Sequence, residues 1–406
     1  MRIGIAGIGV VGGFGCGHPA LLRALKKGSA ETAWKTIRTA GGDMEVPALC
    51  ADTSALADYV PLRTLRRNDH YTRMALLGSF LALEDAKISP GEDLHRMGII
   101  VATGLGSTCN TLDFEDIMSG KNAVCSPTLF SNSVHNAAAA HISIFLKSGG
   151  PNLSVNQYEL SVPSAFMTAC HWLREERTDT VLLGGVDEFS KVGAYYRFNC
   201  EKSGKSGKSS LPVGEGCAFF ILTSDPEKIR YGYIEDAFAG ICPAETMEDR
   251  GLHPLMNGIS RCGGLPLSGV SGDVCSTPLQ EKSGDLPRCP VEMRENTILM
   301  CDRETYEKAA ATLRTKKTAR KADTAISCSR LYGSLPVAMA FDIAAAGLII
   351  KEGIRNLPAD LFLHSPGDIS PAAPVCCLKI RENNELGFVR LLPLHPLFPA
   401  KKGVKV

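Results

Sequence analysis

Along the first half of the chain the spacing of apolar positions keeps switching between two periods. Arg2 to Val11 is an almost unbroken apolar run punctuated by glycine, and Tyr71 to Ala86 places small and apolar residues at helical spacing. Met97 to Thr103 is again a short apolar run, and Ala137 to Leu146 is helical in pattern. Leu153 to Gln157 then alternates as a strand does, and Ser161 and Pro163 open a helix with one buried stripe at Ala165, Phe166, Ala169 and Trp172. A strand over Thr180 to Leu183 follows, and Gly214-Glu215-Gly216 reads as a turn feeding a buried strand over Cys217 to Leu222. Such alternation predicts an α/β sheet covered by helices.

From about residue 240 to 295 the periodicity gives way to Gly, Pro, Ser and Cys, with Gly263-Gly264, Leu265-Pro266 and Ser283-Gly284 as turn signals. A long irregular connection is expected there. Order returns as a strand over Thr297 to Cys301 and another over Ala325 to Ser327, which leads through Gly333 into a small-residue helix over Ser334 to Glu352. Strand, tight turn and Ala-rich helix echo the first half. Lys202 to Ser210, reading K-S-G-K-S-G-K-S-S, is expected to be a solvated loop.

Charge and cysteine usage narrow the partners. Among 406 residues, 44 Lys and Arg stand against 43 Asp and Glu, a balance that argues against nucleic acid as the main partner. The 15 cysteines form no C-x-x-C motif, so neither zinc nor haem attachment is supported and no metal is expected. Ile3 to Phe14 holds five glycines and no secretory exit, which points to a cytoplasmic protein with reduced thiols. Leu335 to Ile350 is interrupted by Asp342 and falls short of the roughly 20 residues a membrane span needs. Gly7-Ile-Gly9-Val-Val-Gly12 satisfies G-x-G-x-x-G but lacks the helix and acidic residue that a dinucleotide site requires, so no cofactor is expected.

Gly150 to Ser161 reads G-P-N-L-S-V-N-Q-Y-E-L-S. Without a gap it resembles G-P-N-x-T-V-S-T-A-C-A-S, the nucleophile motif of the β-ketoacyl synthases, with Glu159 at the place of the acylated cysteine. Ala82-Leu-Glu-Asp-Ala86 resembles that family's A-L-E-D-A-G helix, and Met97 to Gly106 its following strand and glycine turn. Ser126-Pro127 through Phe130-Ser-Asn-Ser-Val-His-Asn136 is similar to the chain-length-factor-like branch, and Gly184-Gly185 and Gly214-Glu215-Gly216 match two further turns. The resemblance implies a thiolase-like fold, a duplicated five-layered αβαβα architecture with two similar halves, 1–225 and 226–406, packed as one unit.

It also implies that the catalytic residues have been replaced. Asp302 stands where N-A-H-G-T-x-T carries its histidine, and Ser329 and Ser334 stand for the lysine and histidine of K-x-x-x-G-H. Gly367 to Pro371 matches the gating loop in remodelled form. In the family mechanism a helix start stabilises the cysteine thiolate and two histidines hydrogen-bond the thioester oxygen while an enolate forms. A glutamate cannot hold a thioester, and an ionised Asp302 would repel the enolate, so Claisen condensation by this chain alone is not expected.

Three functions remain open. The resemblance implies a degenerate subunit that pairs with an active ketosynthase, or with itself, and serves an acyl carrier protein, with Gln157 near the shared interface and Phe130, Asn132, His135 and Asn136 reaching toward the partner's acyl tunnel. A malonyl-carrier-protein decarboxylase is the second, with a protonated Glu159 imitating the Gln of some loading ketosynthases. The third is a different acyl chemistry with Glu159 as general base and Asp302 as second carboxylate, to which His135 and His141 could contribute.

Overall fold

The glycines of the first strand set how closely the first long helix approaches it. β1 (Ile3–Gly12) is buried along its whole length, and α2 (His70–Asp85) crosses it at Gly78 and Ala82. A Cβ on Gly9 would sit 2.0 Å from the Gly78 carbonyl oxygen, and one on Gly7 would sit 2.4 Å from that of Ala82. The G-x-G-x-x-G run is therefore a spacing device inside a strand, and it opens no helix.

The structure, a computed structural model, describes residues 1–39, 42–89, 94–120, 124, 126–202, 211–241, 297–314, 324–364, 369–370, 372–381 and 385–394. The Ser203 to Ser210 part of the basic tract, most of the 240–295 connection and Gly367 lie outside them. β10 (Tyr233–Ile241) runs into the start of that expected connection.

Ten strands form one path, with the order β12-β11-β13-β14-β10-β1-β9-β7-β5-β6. Its first-half members are β1, β5 (Met97–Thr103), β6 (Asn152–Asn156), β7 (Thr180–Asp187) and β9 (Gly216–Thr223). The second-half members are β10, β11 (Ile298–Met300), β12 (Thr324–Ile326), β13 (Val375–Ile380) and β14 (Glu385–Leu392). Numbering each group in its own chain order gives 3-2-4-5-1 in both. In each, the second strand is parallel to the third and fourth, while the fifth runs antiparallel to the fourth and first. The groups join where Ile3 pairs with Ile234 and Gly4 with Tyr233.

Alternate side chains then define the layers, because strand residues point to opposite faces. Ile99, Val101, Leu182, Phe219 and Ile221 face α2 and α5 (Ala137–Leu146). Ile100, Ala102, Val181, Leu183 and Phe220 face the other way, onto α6 (Ser161–Arg174). That same central core takes Met300, Ile326, Val375, Cys377 and Val389 from the second group, together with the helix Ala338–Glu352. Leu299, Ala325, Cys376, Leu378 and Phe388 close on Ala309 of the helix Arg303–Arg314 at the far side. Helix, sheet, helix, sheet, helix is the five-layered α/β arrangement expected.

Smaller elements complete the chain. A hairpin, β3 (Ala33–Thr39) and β4 (Gly42–Leu49), carries β8 (Val213–Gly214) as a third strand, and β2 (Gly15–Cys16) folds back on β1. The helices, in order, are α1 (His18–Lys27), α2, α3 (Thr108–Met118), α4 (Pro127–Asn132), α5, α6 and α7 (Lys191–Lys202). After them come α8 (Arg303–Arg314), α9 (Ser329–Tyr332) and α10 (Ala338–Glu352). The apolar run Leu335 to Ile350 is thus largely α10, buried in the central layer. No helix among the described residues is long and apolar enough to cross a membrane.

Candidate functional site

β6 ends at Asn156, and a single 3-10 turn, Tyr158–Leu160, carries the chain into α6. Ser161 holds this turn from below. Its Oγ accepts the Gln157 N–H at 2.7 Å and lies 2.8 Å from the Thr103 carbonyl and 2.7 Å from that of Tyr158. The Thr103 loop is fixed in turn by buried Asp187, which accepts Thr103 Oγ1 at 2.7 Å, the Gly104 N–H at 3.1 Å and the Leu105 N–H at 2.9 Å. Burial pushes the Asp187 carboxyl up to about 6 against the pull of those donors. Tyr158 sits in the left-handed region at φ 53, and Glu159 follows it on the inner side of the turn.

Glu159 does not stand alone. Lys379 Nζ lies 2.7 Å from Glu159 Oε1 and 2.7 Å from Asp302 Oδ2, so one ammonium bridges both carboxylates. Arg381 Nε approaches Glu159 Oε2 at 3.2 Å, and its other arm ion-pairs with Glu385. Its guanidinium also stands over the Tyr158 ring, 5.2 Å from the centroid. Asp302 precedes α8 and accepts the Thr305 N–H at 2.7 Å, the hydrogen bond of a helix N-cap.

The electrostatics follow from this bridge. Burial alone would lower the Lys379 ammonium, but the Glu159 and Asp302 carboxylates hold it well above the ordinary lysine range. Burial alone would raise the Asp302 carboxyl, and Lys379, with the Thr305 donors, brings it below its usual value. Lys379 and Asp302 are therefore both charged at neutral pH. Behind them Tyr332 donates to Asp342 Oδ1 at 2.5 Å. Burial, with the Asp302 charge adding, pushes the Asp342 carboxyl up to about 7 although the Tyr332 hydrogen bond opposes it.

Glu159, Asp302, Lys379, Ser329, Tyr332 and Asp342 line one cavity of about 20 Å³, closed in by Pro336, Met339 and Leu378. That is room for about one water.

The expected site residues separate into those that meet and those that do not. Glu159, Asp302 and Ser329 share the cavity, with Ser329 Oγ 3.2 Å from Ser327 Oγ. Ser334 lies outside that lining; its side chain is exposed, and its backbone pairs with β8 through Ser334 N to Pro212 O at 2.9 Å. Asn132 is buried and donates to the Arg67 carbonyl at 2.7 Å, a structural tether. Phe130 is 60% exposed and packs its ring 5.7 Å from that of Phe114. His135 lies over Gly106, and Asn136 precedes α5 without capping it. Gln157 is exposed and accepts a hydrogen bond from Ser164. His141 is half-buried, and burial lowers its imidazole; neither it nor His135 lines the cavity.

Lys379, Arg381, Tyr332 and Asp342 were not anticipated. Two of them carried a signal, since Lys379 interrupts the apolar strand V-C-C-L-K-I and Asp342 the apolar helix. A charge inside an apolar run is placed there at a desolvation cost, so it calls for a partner.

The sequence resembles known proteins at low identity. Relatives include the chloroplastic 3-oxoacyl-[acyl-carrier-protein] synthase I of Hordeum vulgare, 26% identical over 136 residues, which cover 32% of this chain and 29% of that protein. Nodulation protein E of Rhizobium leguminosarum bv. trifolii is 26% identical over 192 residues, covering 46% of this chain and 47% of that one. A putative polyketide beta-ketoacyl synthase 1 of Streptomyces virginiae is 24% identical over 244 residues, covering 54% and 57%. The chain thus spans less than two thirds of the length of each of these relatives.

Solved structures match over nearly the whole chain. The ishigamide ketosynthase/chain length factor superposes with a TM-score of 0.65 at 16% identity, covering 97% of this chain and 100% of that one. A beta-ketoacyl synthase from Burkholderia phymatum STM815 gives 0.68 at 14% identity, with 97% and 100% covered. At such identities the likeness speaks for the fold, which is theirs. The family model for the beta-ketoacyl synthase N-terminal domain matches residues 3–227, more than half of the 406, and the chain belongs to the β-ketoacyl synthase family.

Proposed function

We propose that this chain is a non-condensing member of its family, a subunit that pairs with an active ketosynthase in fatty-acid, polyene or polyketide synthesis and shapes that partner's acyl tunnel. One observation carries the reading: Lys379 Nζ bridges Glu159 and Asp302 at 2.7 Å each. Condensation needs a nucleophile that can be acylated and neutral donors aimed at the thioester oxygen. At the positions that match the family's nucleophile and first histidine stand two carboxylates tied to one cation. A malonyl or acyl group needs far more than about 20 Å³, so the same bridge also fills the space substrate would enter. Glu159 as general base and decarboxylation are disfavoured on the same grounds.

What is left for such a chain is a surface role. Among the described residues β6 pairs with β5 alone and presents its other edge unpaired, and Phe130 and Val134 stand out from the neighbouring segment, 60% and 43% exposed. Unpaired strand edges invite pairing with another chain. The ishigamide ketosynthase/chain length factor match supports a condensing partner, and the similar fold of AntDE, a ketosynthase in complex with its acyl-carrier protein, supports a carrier-protein partner.

The test is co-expression with cysteine-bearing ketosynthases, followed by product analysis. A stable heterodimer is expected, with no condensation or CO2 release from malonyl carrier protein by this chain alone and altered product length with Phe130→Ala. Condensation by the isolated chain, or a homodimer that leaves every partner's products unchanged, overturns the reading.

A further inference from the structure

Tyr158 is an aromatic residue at φ 53, two positions past the end of β6, and it is 44% exposed. Both facts are unfavourable for an isolated chain. A left-handed backbone suits glycine, and a bulky residue persists there only where its surroundings over-determine the conformation, a condition met mostly at functional sites. The surroundings meet that condition on every side. Leu160 N–H donates to Gln157 O at 3.1 Å, Ser161 Oγ takes the Gln157 N–H, and Glu159 is anchored by Lys379 and Arg381. Arg381, clamped between Glu159 and Glu385, covers one face of the Tyr158 ring.

The effect of the clamp is to hold one half-exposed ring in place just past the end of β6, the edge strand of its group. Partial burial first, and the Glu159 charge second, raise the Tyr158 hydroxyl, so it stays a neutral donor. Arg381, the cation that touches the ring, is compensated by two carboxylates and offers little to attract an acidic counterpart. The ring's complement is an uncharged, apolar pocket with an acceptor for the hydroxyl. Pre-oriented tyrosines of this kind are the usual anchors of protein interfaces.

We propose that Tyr158, positioned by the Glu159–Arg381 clamp, is the specificity anchor through which this chain docks into an apolar pocket on a cysteine-bearing ketosynthase paired along β6. The assignment rests on the paired-subunit reading above. On it Glu159 has a role that needs no chemistry, because its carboxylate aims a neighbour at the partner.

The experiment measures the dissociation constant of the heterodimer with the full-length chain. Tyr158→Gly adopts the left-handed backbone without strain, so the chain stays folded, as its circular dichroism will report, while the ring is lost. About a tenfold or greater weakening is expected for Tyr158→Gly, and a smaller loss for Tyr158→Phe, which keeps the ring and gives up only the hydroxyl's hydrogen bond. A wild-type heterodimer that Tyr158→Gly leaves within about twofold overturns this assignment alone. A wild-type chain that pairs with no ketosynthase overturns the paired-subunit reading and this assignment together. A homodimer that the variant weakens overturns the choice of partner, because a second copy would then be the occupant.

Discussion

Lys379 is the residue that makes the cavity stable as it stands. Its side chain is 18% exposed and those of Glu159 and Asp302 are 25% and 27% exposed, so solvent screens the bridge only in part. Removing the shared cation leaves two partly buried carboxylates facing each other. Lys379→Met should therefore destabilise the protein by about 2–3 kcal/mol, somewhat less than the roughly 3–5 of a fully buried pair. The triple change Glu159→Gln, Asp302→Asn, Lys379→Met removes every charge of the bridge and should recover most of that loss. Urea midpoints of the two variants against wild type check it, and equal destabilisation of both would refute the electrostatic account. Glu159 and Asp302 drew notice in the sequence because they fall in segments that resemble the family's motifs. Lys379 did not, since its partners lie 77 and 220 residues away in the chain and only the fold brings them within 2.7 Å.

α10 shows how one element holds a titratable group that its own sequence cannot satisfy. It has no polar face, and Asp342 is buried in the central layer with Tyr332 as its donor. Because the folded-state value is raised to about 7, the protonated form is favoured in the fold. The sign follows directly. Its contribution is fully present below the unfolded value of about 3.9 and fades as pH rises through about 7. Asp302 behaves oppositely, with a contribution present above about 3.9 and lost on further acidification. Asp342→Asn should thus flatten the fall in stability between about pH 4 and 7 while leaving the acid limb in place, and urea midpoints at both pH values would read this. An unchanged slope would mean that Asp342 is ionised throughout.

The long periodic elements were readable to within a few residues, α5 and β5 among them, because burial on one or both faces writes itself into spacing. The β3–β4 hairpin was not, since β3 exposes most of its residues and carries Trp34, Lys35 and Arg38 among them. α8 escaped because its composition is mostly polar, R-E-T-Y-E-K-A-A-A-T-L-R, and β13 because Lys379 interrupts it.

At the scale of the whole molecule, the two strand groups cannot be separated without opening the central layer. α6 and α10 lie in one core with Val181 and Phe220 on one side and Val375 and Val389 on the other. A fragment of residues 1–225 would expose the inner face of its sheet and of α6. It should show no cooperative thermal transition by calorimetry, whereas the full chain should melt once, and a fragment that melts sharply would establish an autonomous first half. The repeat itself was only hinted at in the sequence, by strand, turn and Ala-rich helix in each half. The shared 3-2-4-5-1 order that establishes it lives in hydrogen-bond pairing.

The Lys379 bridge crosses this same division. Glu159 hangs from the end of β6 in the first group, while Asp302 and Lys379 belong to β11's turn and to β13 in the second. Glu159, Lys379 and Asp302 together act as a rivet between the two strand groups. Replacing Glu159 with cysteine would loosen that rivet, leaving Lys379 with Asp302 as its remaining partner in the bridge. A substitution at any of the three is therefore felt in both strand groups at once, because one ammonium ties the end of the first group to the outer strands of the second.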